Sequence, residues 1–272
     1  MKVLLLEDSI PETRGFFSSV NLILLTLLYC QENNIKPIIG NSVLSLYSAR
    51  KRRLRPFSLY FGDLYSDMLP DNYSIIDIAW VHNNRVMDFD DSNIVDGLRK
   101  INKELLANIT SELSDCILSP PVKYAGDIEL SIHYRGCDYL KKTPFDHVPN
   151  ITPDQFVERI KNNIPLHTKI FVATDDNTFI DKMRSAKYDI AYFNDVYRKG
   201  PGKGAHMRNF FDLFSLKSGA YQVKKGFEVF RDCYWLSKAA TYLGSNSNLM
   251  YYSSLLNPDI KTINISKVDH KF

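Results

Sequence analysis

The sequence lacks any hydrophobic run long enough to cross a membrane. Its longest apolar stretch, residues 20–30, is about half of the roughly 20 residues that a transmembrane helix needs, and it contains Asn21. It also shows no signal peptide, because residues 1–6 lead directly into strand-like sequence. We therefore expect a core-facing helix over the apolar stretch and a cytoplasmic protein without a transmembrane segment.

Paired cysteines and a strong net charge are missing as well. The four cysteines form no Cys-x-x-Cys pair, which argues against a disulfide scaffold and a zinc site and favours buried free thiols. The net charge of +3 is too small to indicate nucleic-acid binding, and no aromatic-interleaved RNA motif is present. The basic run 50–55 is typical of a solvated surface, with docking on anionic lipid or a charged polymer as the alternative.

Three common active-site signatures are absent. No Gly-x-Gly-x-x-Gly follows the first strand, which argues against a generic dinucleotide-binding enzyme. The glycine-rich basic loop 198–206 lacks the Lys-Ser/Thr ending of a phosphate-binding P-loop, and no Gly-x-Ser-x-Gly elbow indicates a serine hydrolase. Loop 198–206 is either a solvated surface loop or a cationic segment that closes over a diphosphate.

What the sequence does contain is a regular alternation of strands and helices. The length of 272 residues and the apolar content of 44% fit a globular protein of one or two domains. Hydrophobic periodicity predicts strands at 2–6, 36–39, 75–81, 128–134, 169–174, 189–193, 241–244 and 261–265, and helices at about 15–33, 92–108, from Thr152 onward, 177–186, 221–239 and 247–256. This alternation predicts an α/β protein with parallel sheets. Because Pro120-Pro121 interrupts regular structure, we place the domain boundary there. We expect Rossmann-like domains at 1–122 and 123–272, facing each other across a cleft.

The strand at 128–134 ends in the most informative residues of the chain. His133, Arg135 and Asp138 follow one another at its carboxyl end, the edge where open α/β sheets bind ligands. Alternate strand residues share a face, so His133 and Arg135 point the same way, and Gly136 allows a ligand to approach the backbone. This pattern suits a phosphate or pyrophosphate. A surface strand end with an Arg–Asp ion pair is the alternative.

Two later strand ends carry polar side chains too. Asp175 and Asp176 close the strand at 169–174, where carboxylates accept from ribose hydroxyls or base amines or bind a metal. One of the pair is expected to cap the next helix instead, and no further acidic ligands for a metal are evident. Asp232 and the turn Gly244-Ser-Asn-Ser-Asn248 form a third element, either an anion site at a helix N-terminus or ordinary helix capping.

Together these elements resemble the GT-B fucosyltransferase superfamily, which includes α1,6-fucosyltransferases, bacterial nodulation fucosyltransferases and protein O-fucosyltransferases. The three motifs read His133-Tyr-Arg135-Gly-Cys-Asp138, Val172-Ala-Thr-Asp-Asp176, and Asp232-x-x-x-Leu236 through Gly244-Ser-Asn-Ser-Asn248. The resemblance implies a GT-B-like fold and an inverting, metal-independent glycosyltransferase without a separate cofactor. It also implies a nucleotide-sugar donor, with a GDP-sugar as the first choice, and a glycan or glycoconjugate acceptor.

The resemblance also implies roles for individual residues. Arg135 would contact the donor diphosphate and stabilise the departing nucleotide, while His133 and Asp232 would contact guanine or ribose. The second motif maps to Asp175 and Asp176, and the phosphate-binding turn maps to Ser245, Ser247 and Asn248. For the general base, Glu12 after Pro11 is the first candidate, with Asp138, Asp146 and Asp8 as alternatives. Glu12 is otherwise a helix N-terminal acid that interacts with the macrodipole.

The chain departs from the family pattern at one position. Many members carry a second arginine after the first, whereas this chain has Gly136. Less positive charge then faces the donor, so a UDP-sugar such as UDP-xylose stays an alternative to GDP-fucose. A non-catalytic nucleotide- or glycan-binding module on the same fold is a second alternative. The short chain, without the membrane anchor and stem of Golgi members, fits a bacterial or viral enzyme.

Overall fold

The computed structural model describes residues 2–7, 15–41, 43–44, 47, 56–65, 73–77, 92–123, 126–136, 151–196, 198 and 218–265. The chain divides into two compact units. The first unit contains Met1–Cys116 and Phe211–Val229, and the second contains Ile117–Phe210 and Phe230–Phe272. The sequence places a boundary after residue 122, whereas this division falls after Cys116 and assigns a later segment to the first unit.

A three-stranded parallel sheet organises the first unit. Its strands are β1 (Lys2–Glu7), β2 (Ile35–Ile39) and β3 (Ser74–Asp77), in the order β2-β1-β3. Helix α1 (Phe16–Glu32) connects β1 to β2 and is buried nearly all round, as its continuous apolar sequence predicts. The short helix α2 (Ser58–Phe61) and helix α3 (Ser92–Ala107) follow along the chain. No helix within the described residues is long and apolar enough to cross a membrane.

The second unit is built on a five-stranded parallel sheet. Its strands are β4 (Leu130–Tyr134), β5 (Ile170–Thr174), β6 (Ile190–Ala191), β7 (Thr241–Gly244) and β8 (Lys261–Asn264), in the order β6-β5-β4-β7-β8. Its helices are α5 (Pro153–Asn163), α6 (Asn177–Ser185) and α8 (Asn248–Leu256). Relative to the first strand of the unit, this order is that of a Rossmann-type sheet. The two parallel sheets confirm the predicted α/β fold class.

Helix α7 (Ser218–Leu236) contributes to both units, because its residues up to Val229 belong to the first unit and the others to the second. Within the first unit it approaches Tyr60 closely. The buried Tyr60 hydroxyl donates to the Tyr47 carbonyl at 2.6 Å, and a Cβ built on Gly226 would overlap that hydroxyl. This contact explains why a glycine stands inside a helix, where it is otherwise unfavourable.

The element boundaries differ from the sequence expectations at several places. Helices α2 and α4 (Ser111–Leu118) are not among the predicted elements, and α4 buries Leu113 and Ile117 one helical turn apart. Strand β4 begins at Leu130 rather than at residue 128. Strand β6 covers only Ile190–Ala191, because Tyr192 instead pairs with Val122 in an isolated antiparallel bridge. Of the strand expected at 75–81, residues 78–81 lie outside the described part of the chain.

Candidate functional site

The strand order of the second unit marks one sheet edge for ligand binding. From β4 the chain continues to β5 and β6 on one side, and then returns to β7 and β8 on the other side. The order therefore reverses between β4 and β7, and open α/β sheets bind ligands at the carboxyl ends of the strands at such a point. His133 pairs with Gly244 in the β4–β7 register, so Arg135 and Ser245 both follow the ends of these two strands.

A small open pocket lies at this point. It encloses about 220 Å³, including its opening to solvent, and it is lined by His133, Tyr134, Arg135, Ile151, Phe156, Ser245 and Ile265. His133 and Arg135 are half-buried, while Ser245 is buried. The structure thus brings together the first motif and the serine-rich turn of the third motif, which are more than 100 residues apart in sequence. A guanidinium and a hydroxyl that line the same pocket are suitable donors for an anionic oxygen.

The second motif contacts the first through the backbone. The N–H group of Gly136 donates to Asp175 Oδ1 at 2.9 Å. Asp176 instead caps helix α6, because its Oδ1 accepts from both the backbone N–H and the hydroxyl of Thr178 at 2.8 Å. One carboxylate of the pair therefore caps a helix, as the sequence predicts, and the other holds the backbone next to Arg135.

The glycine after Arg135 has a local structural cause. A Cβ built on Gly136 would lie 2.6 Å from Tyr134 Cε1 and 2.8 Å from Asp176 Oδ2. Asp176 is 1% exposed and fixed as a helix cap, so it has little freedom to move aside. In this backbone conformation there is no room at position 136 for the second arginine that many members of the resembled family carry.

The residues of the third motif occupy different positions. Ser245 lines the pocket, whereas Ser247 is the N-cap of α8 and its hydroxyl accepts from the Met250 N–H at 3.3 Å. Asn248 is the first residue of that helix and is half-buried. Asp232 lies buried on α7 and is not among the residues that line the pocket. The donor-binding roles predicted for these residues stay predictions.

Two titratable side chains near the third motif, Tyr242 and Cys233, are shielded from water. Burial raises the pKa of Tyr242, on β7, well above its usual range, and the neighbouring Cys233 adds to this effect. Burial also raises the pKa of Cys233, while Ser253 lowers it and the charge of Asp232 raises it. Both groups therefore stay neutral at physiological pH, and the Cys233 thiol is not a reactive nucleophile.

Other predicted positions lie outside the site or outside the described residues. The structure does not describe Asp8, Glu12, Asp138 or Asp146, so the four candidates for the general base stay predictions. Of loop 198–206 only Arg198 is described; its Nε donates to the Thr174 carbonyl at 3.1 Å and its Nη2 to the Phe193 carbonyl at 2.5 Å. Arg198 thus supports the end of β5. Within the described ranges, no group of three His, Cys, Asp or Glu residues is placed to hold a metal.

The apolar side of the pocket is not predicted by the sequence motifs. Ile151 and Phe156 lie at the start of α5, Ile265 follows β8, and none of the three belongs to a motif. The one signal near them is the capping box at the start of α5, where Thr152 accepts from the Gln155 N–H and Gln155 Oε1 accepts from the Thr152 N–H. That box fixes the start of the helix that carries Phe156, while the Tyr134 hydroxyl donates to the Ile151 carbonyl at 3.1 Å.

Comparison with known proteins gives no family model and no curated protein that matches this chain. Solved structures do match over nearly the full length of both chains. The NodZ α-1,6-fucosyltransferase soaked with GDP-fucose aligns with a TM-score of 0.50 at 14% identity, covering 99% of this chain and 98% of NodZ. The fucosyltransferase NodZ from Bradyrhizobium aligns with a TM-score of 0.52 at 13% identity, covering 97% and 96%.

The chain shares the fold of NodZ. A third structure, NodZ co-crystallised with GDP, aligns with a TM-score of 0.50 at 14% identity and covers 95% of this chain and 93% of that one. The likeness confirms that this chain has the α/β fold of NodZ, as the motif resemblance implies. At this identity the likeness is one of fold, and the activity of the present chain depends on its own residues.

Proposed function

We propose that this chain is an inverting, metal-independent glycosyltransferase that uses a nucleoside diphosphate sugar as donor and a hydroxyl of a glycan or glycoconjugate as acceptor. The observation that carries this proposal is the pocket at the β4–β7 reversal, where His133, Arg135 and Ser245 converge. The shared fold with NodZ supports it, since NodZ structures were obtained with GDP and with GDP-fucose. Fucose is accordingly the first donor sugar to test.

In the proposed reaction, the acceptor oxygen forms a bond to the anomeric carbon as the bond from that carbon to the β-phosphate oxygen breaks. The electron pair leaves with the nucleoside diphosphate, so negative charge develops on the phosphate during the step. The Arg135 guanidinium offers parallel N–H donors to two phosphate oxygens, and the Ser245 hydroxyl offers a third donor. Such fixed donors stabilise the transition state more than the ground state.

The remaining roles extend the proposal to His133, which lines the pocket, and to residues that do not line it. His133 binds the base or ribose of the donor, with Asp232, Ser247 and Asn248 as further donor-binding candidates. The proton of the acceptor hydroxyl passes to a general base, for which Glu12 is the first choice. Since Gly136 leaves only one arginine in the first motif, a UDP-sugar is the alternative donor.

Nucleotide binding is the first test of this proposal. A ligand that binds only the folded protein stabilises it by about 2.7 kcal/mol at 100 times its Kd, so a matching nucleotide raises the melting temperature measurably. Among GDP, UDP, dTDP and CMP, we expect GDP to give the largest increase in a thermal-shift assay. We also expect Arg135→Ala to remove most of that increase.

The control is Arg184→Ala, which removes an exposed arginine that contacts Tyr192 in the same unit, away from the pocket. This variant is expected to respond to GDP as the wild-type protein does. A larger increase in melting temperature with UDP than with GDP would indicate a UDP-sugar, and not GDP-fucose, as the donor. No increase with any of the four nucleotides would contradict the proposed donor site.

A further inference from the structure

Arg135 stands on a short backbone segment at the end of β4. It follows β4 directly, outside the β4 ladder, and the next residue is a glycine. Glycine has more conformational freedom than any other residue, so the segment needs an external contact to hold one conformation. One contact of this kind is the hydrogen bond from the Gly136 N–H to Asp175 Oδ1 at 2.9 Å.

Asp175 is itself rigidly placed. It follows β5, which pairs with β4 in parallel up to Tyr134 and Thr174, so the two strand ends lie side by side. The next residue, Asp176, is fixed as the N-cap of α6, and its backbone N–H donates to Thr174 Oγ1 at 3.1 Å. Asp175 is therefore held between a strand end and a helix cap. An ionised carboxylate also accepts a stronger hydrogen bond from a backbone N–H than a neutral group does.

We infer that Asp175 is a positioning residue, which aims the Arg135 guanidinium by holding the Gly136 backbone N–H. This inference rests on the proposed function, and it differs from the direct donor contact that the sequence predicts for Asp175. One of the two carboxylate oxygens is engaged with the protein backbone instead of facing a ligand. The second motif then acts on the first motif, and through it on the leaving diphosphate.

The first test compares Asp175→Ala with Asp175→Asn in a transfer assay. Alanine removes the acceptor, so we expect kcat to fall roughly 10-fold to 100-fold, since small misplacements of a catalytic group have effects of this size. Asparagine keeps a side-chain oxygen at the same place and is expected to retain kcat within about threefold, with donor KM little changed in both variants. Asp181→Ala, which removes an exposed carboxylate on α6, is the matched control and should behave as wild type.

The second test is a double-mutant cycle with Arg135→Ala. If Asp175 acts only through Arg135, the double variant Arg135→Ala/Asp175→Ala has the same kcat as Arg135→Ala alone. Additive losses, or an asparagine variant as impaired as the alanine variant, would overturn the positioning role while leaving the glycosyltransferase proposal intact. If Asp175→Ala does not fold, as judged by circular dichroism, the kcat of Asp175→Asn decides alone. A kcat within about threefold of wild type supports the positioning role, and a larger loss overturns it. If the wild-type protein transfers no sugar, both the positioning role and the glycosyltransferase proposal are overturned.

Discussion

Replacing Arg135 with alanine is expected to lower kcat roughly 100-fold to 1,000-fold, the range found when one donor to a developing anion is removed. The physical reason is that the diphosphate gains negative charge as it leaves. In the proposed reaction the Arg135 guanidinium, which is half-buried in the pocket lining, supplies a positive charge for it. Because this interaction strengthens in the transition state, the effect falls mainly on kcat and less on donor KM.

Steady-state kinetics of the purified variants measure this effect, with circular dichroism to verify the fold. Arg135→Lys keeps the charge but loses the two-pronged geometry, so its kcat should lie between those of the wild-type and alanine proteins. Arg184→Ala, used above as the control for nucleotide binding, should leave kcat unchanged. Turnover of Arg135→Ala near the wild-type value, with the fold intact, would remove this residue from the mechanism.

Replacing Phe179 with alanine is expected to lower the free energy of unfolding of the second unit by about 3–5 kcal/mol. Phe179 is completely buried on α6. Its ring stacks on Tyr134 with centroids 4.4 Å apart and meets Phe156 edge-on at 5.2 Å. The substitution therefore removes a large buried ring and leaves a cavity between two residues that line the pocket.

Denaturant-induced unfolding followed by fluorescence or circular dichroism measures this loss, and the matched control is Leu166→Ala. The Leu166 side chain is 55% exposed, so its truncation should change stability by less than about 0.5 kcal/mol. Because Tyr134 adjoins Arg135, Phe179→Ala should also weaken nucleotide binding. A stability loss for Phe179→Ala as small as that of Leu166→Ala would show that the aromatic cluster does not support the site.

The sequence predicts the parts of this protein that depend on local patterns. Strand and helix periodicity locates the parallel strands of both sheets, and the Thr152–Gln155 capping box marks the start of α5. Polar residues at strand ends are informative because parallel strands all present their carboxyl ends at the same edge. That is why His133 and Arg135 of the first motif and Ser245 of the third can be predicted together and are found in one pocket.

Contacts between distant segments are not predictable in this way. The apolar lining by Ile151 and Ile265 depends on how chain segments cross near the end of the sheet. The hydrogen bond from Arg198 to the Thr174 carbonyl depends on the same kind of long-range packing. Gly136 is the clearest example. The glycine is visible in the sequence, but the close approach of Asp176, which leaves no space for a side chain there, is visible only in the structure.

The most direct test of the glycosyltransferase proposal is donor turnover by the purified chain in the presence of EDTA. The chain would be incubated with GDP-fucose, other GDP-sugars and UDP-sugars and with glycan acceptors, and both released nucleotide and glycosylated product would be quantified by mass spectrometry. We predict that one donor yields one nucleoside diphosphate per glycosidic bond, without added metal and with dependence on Arg135. Turnover that is restored only by adding a divalent metal would contradict the metal-independent mechanism. The absence of turnover with every donor would contradict the proposed enzymatic activity and favour a non-catalytic binding module.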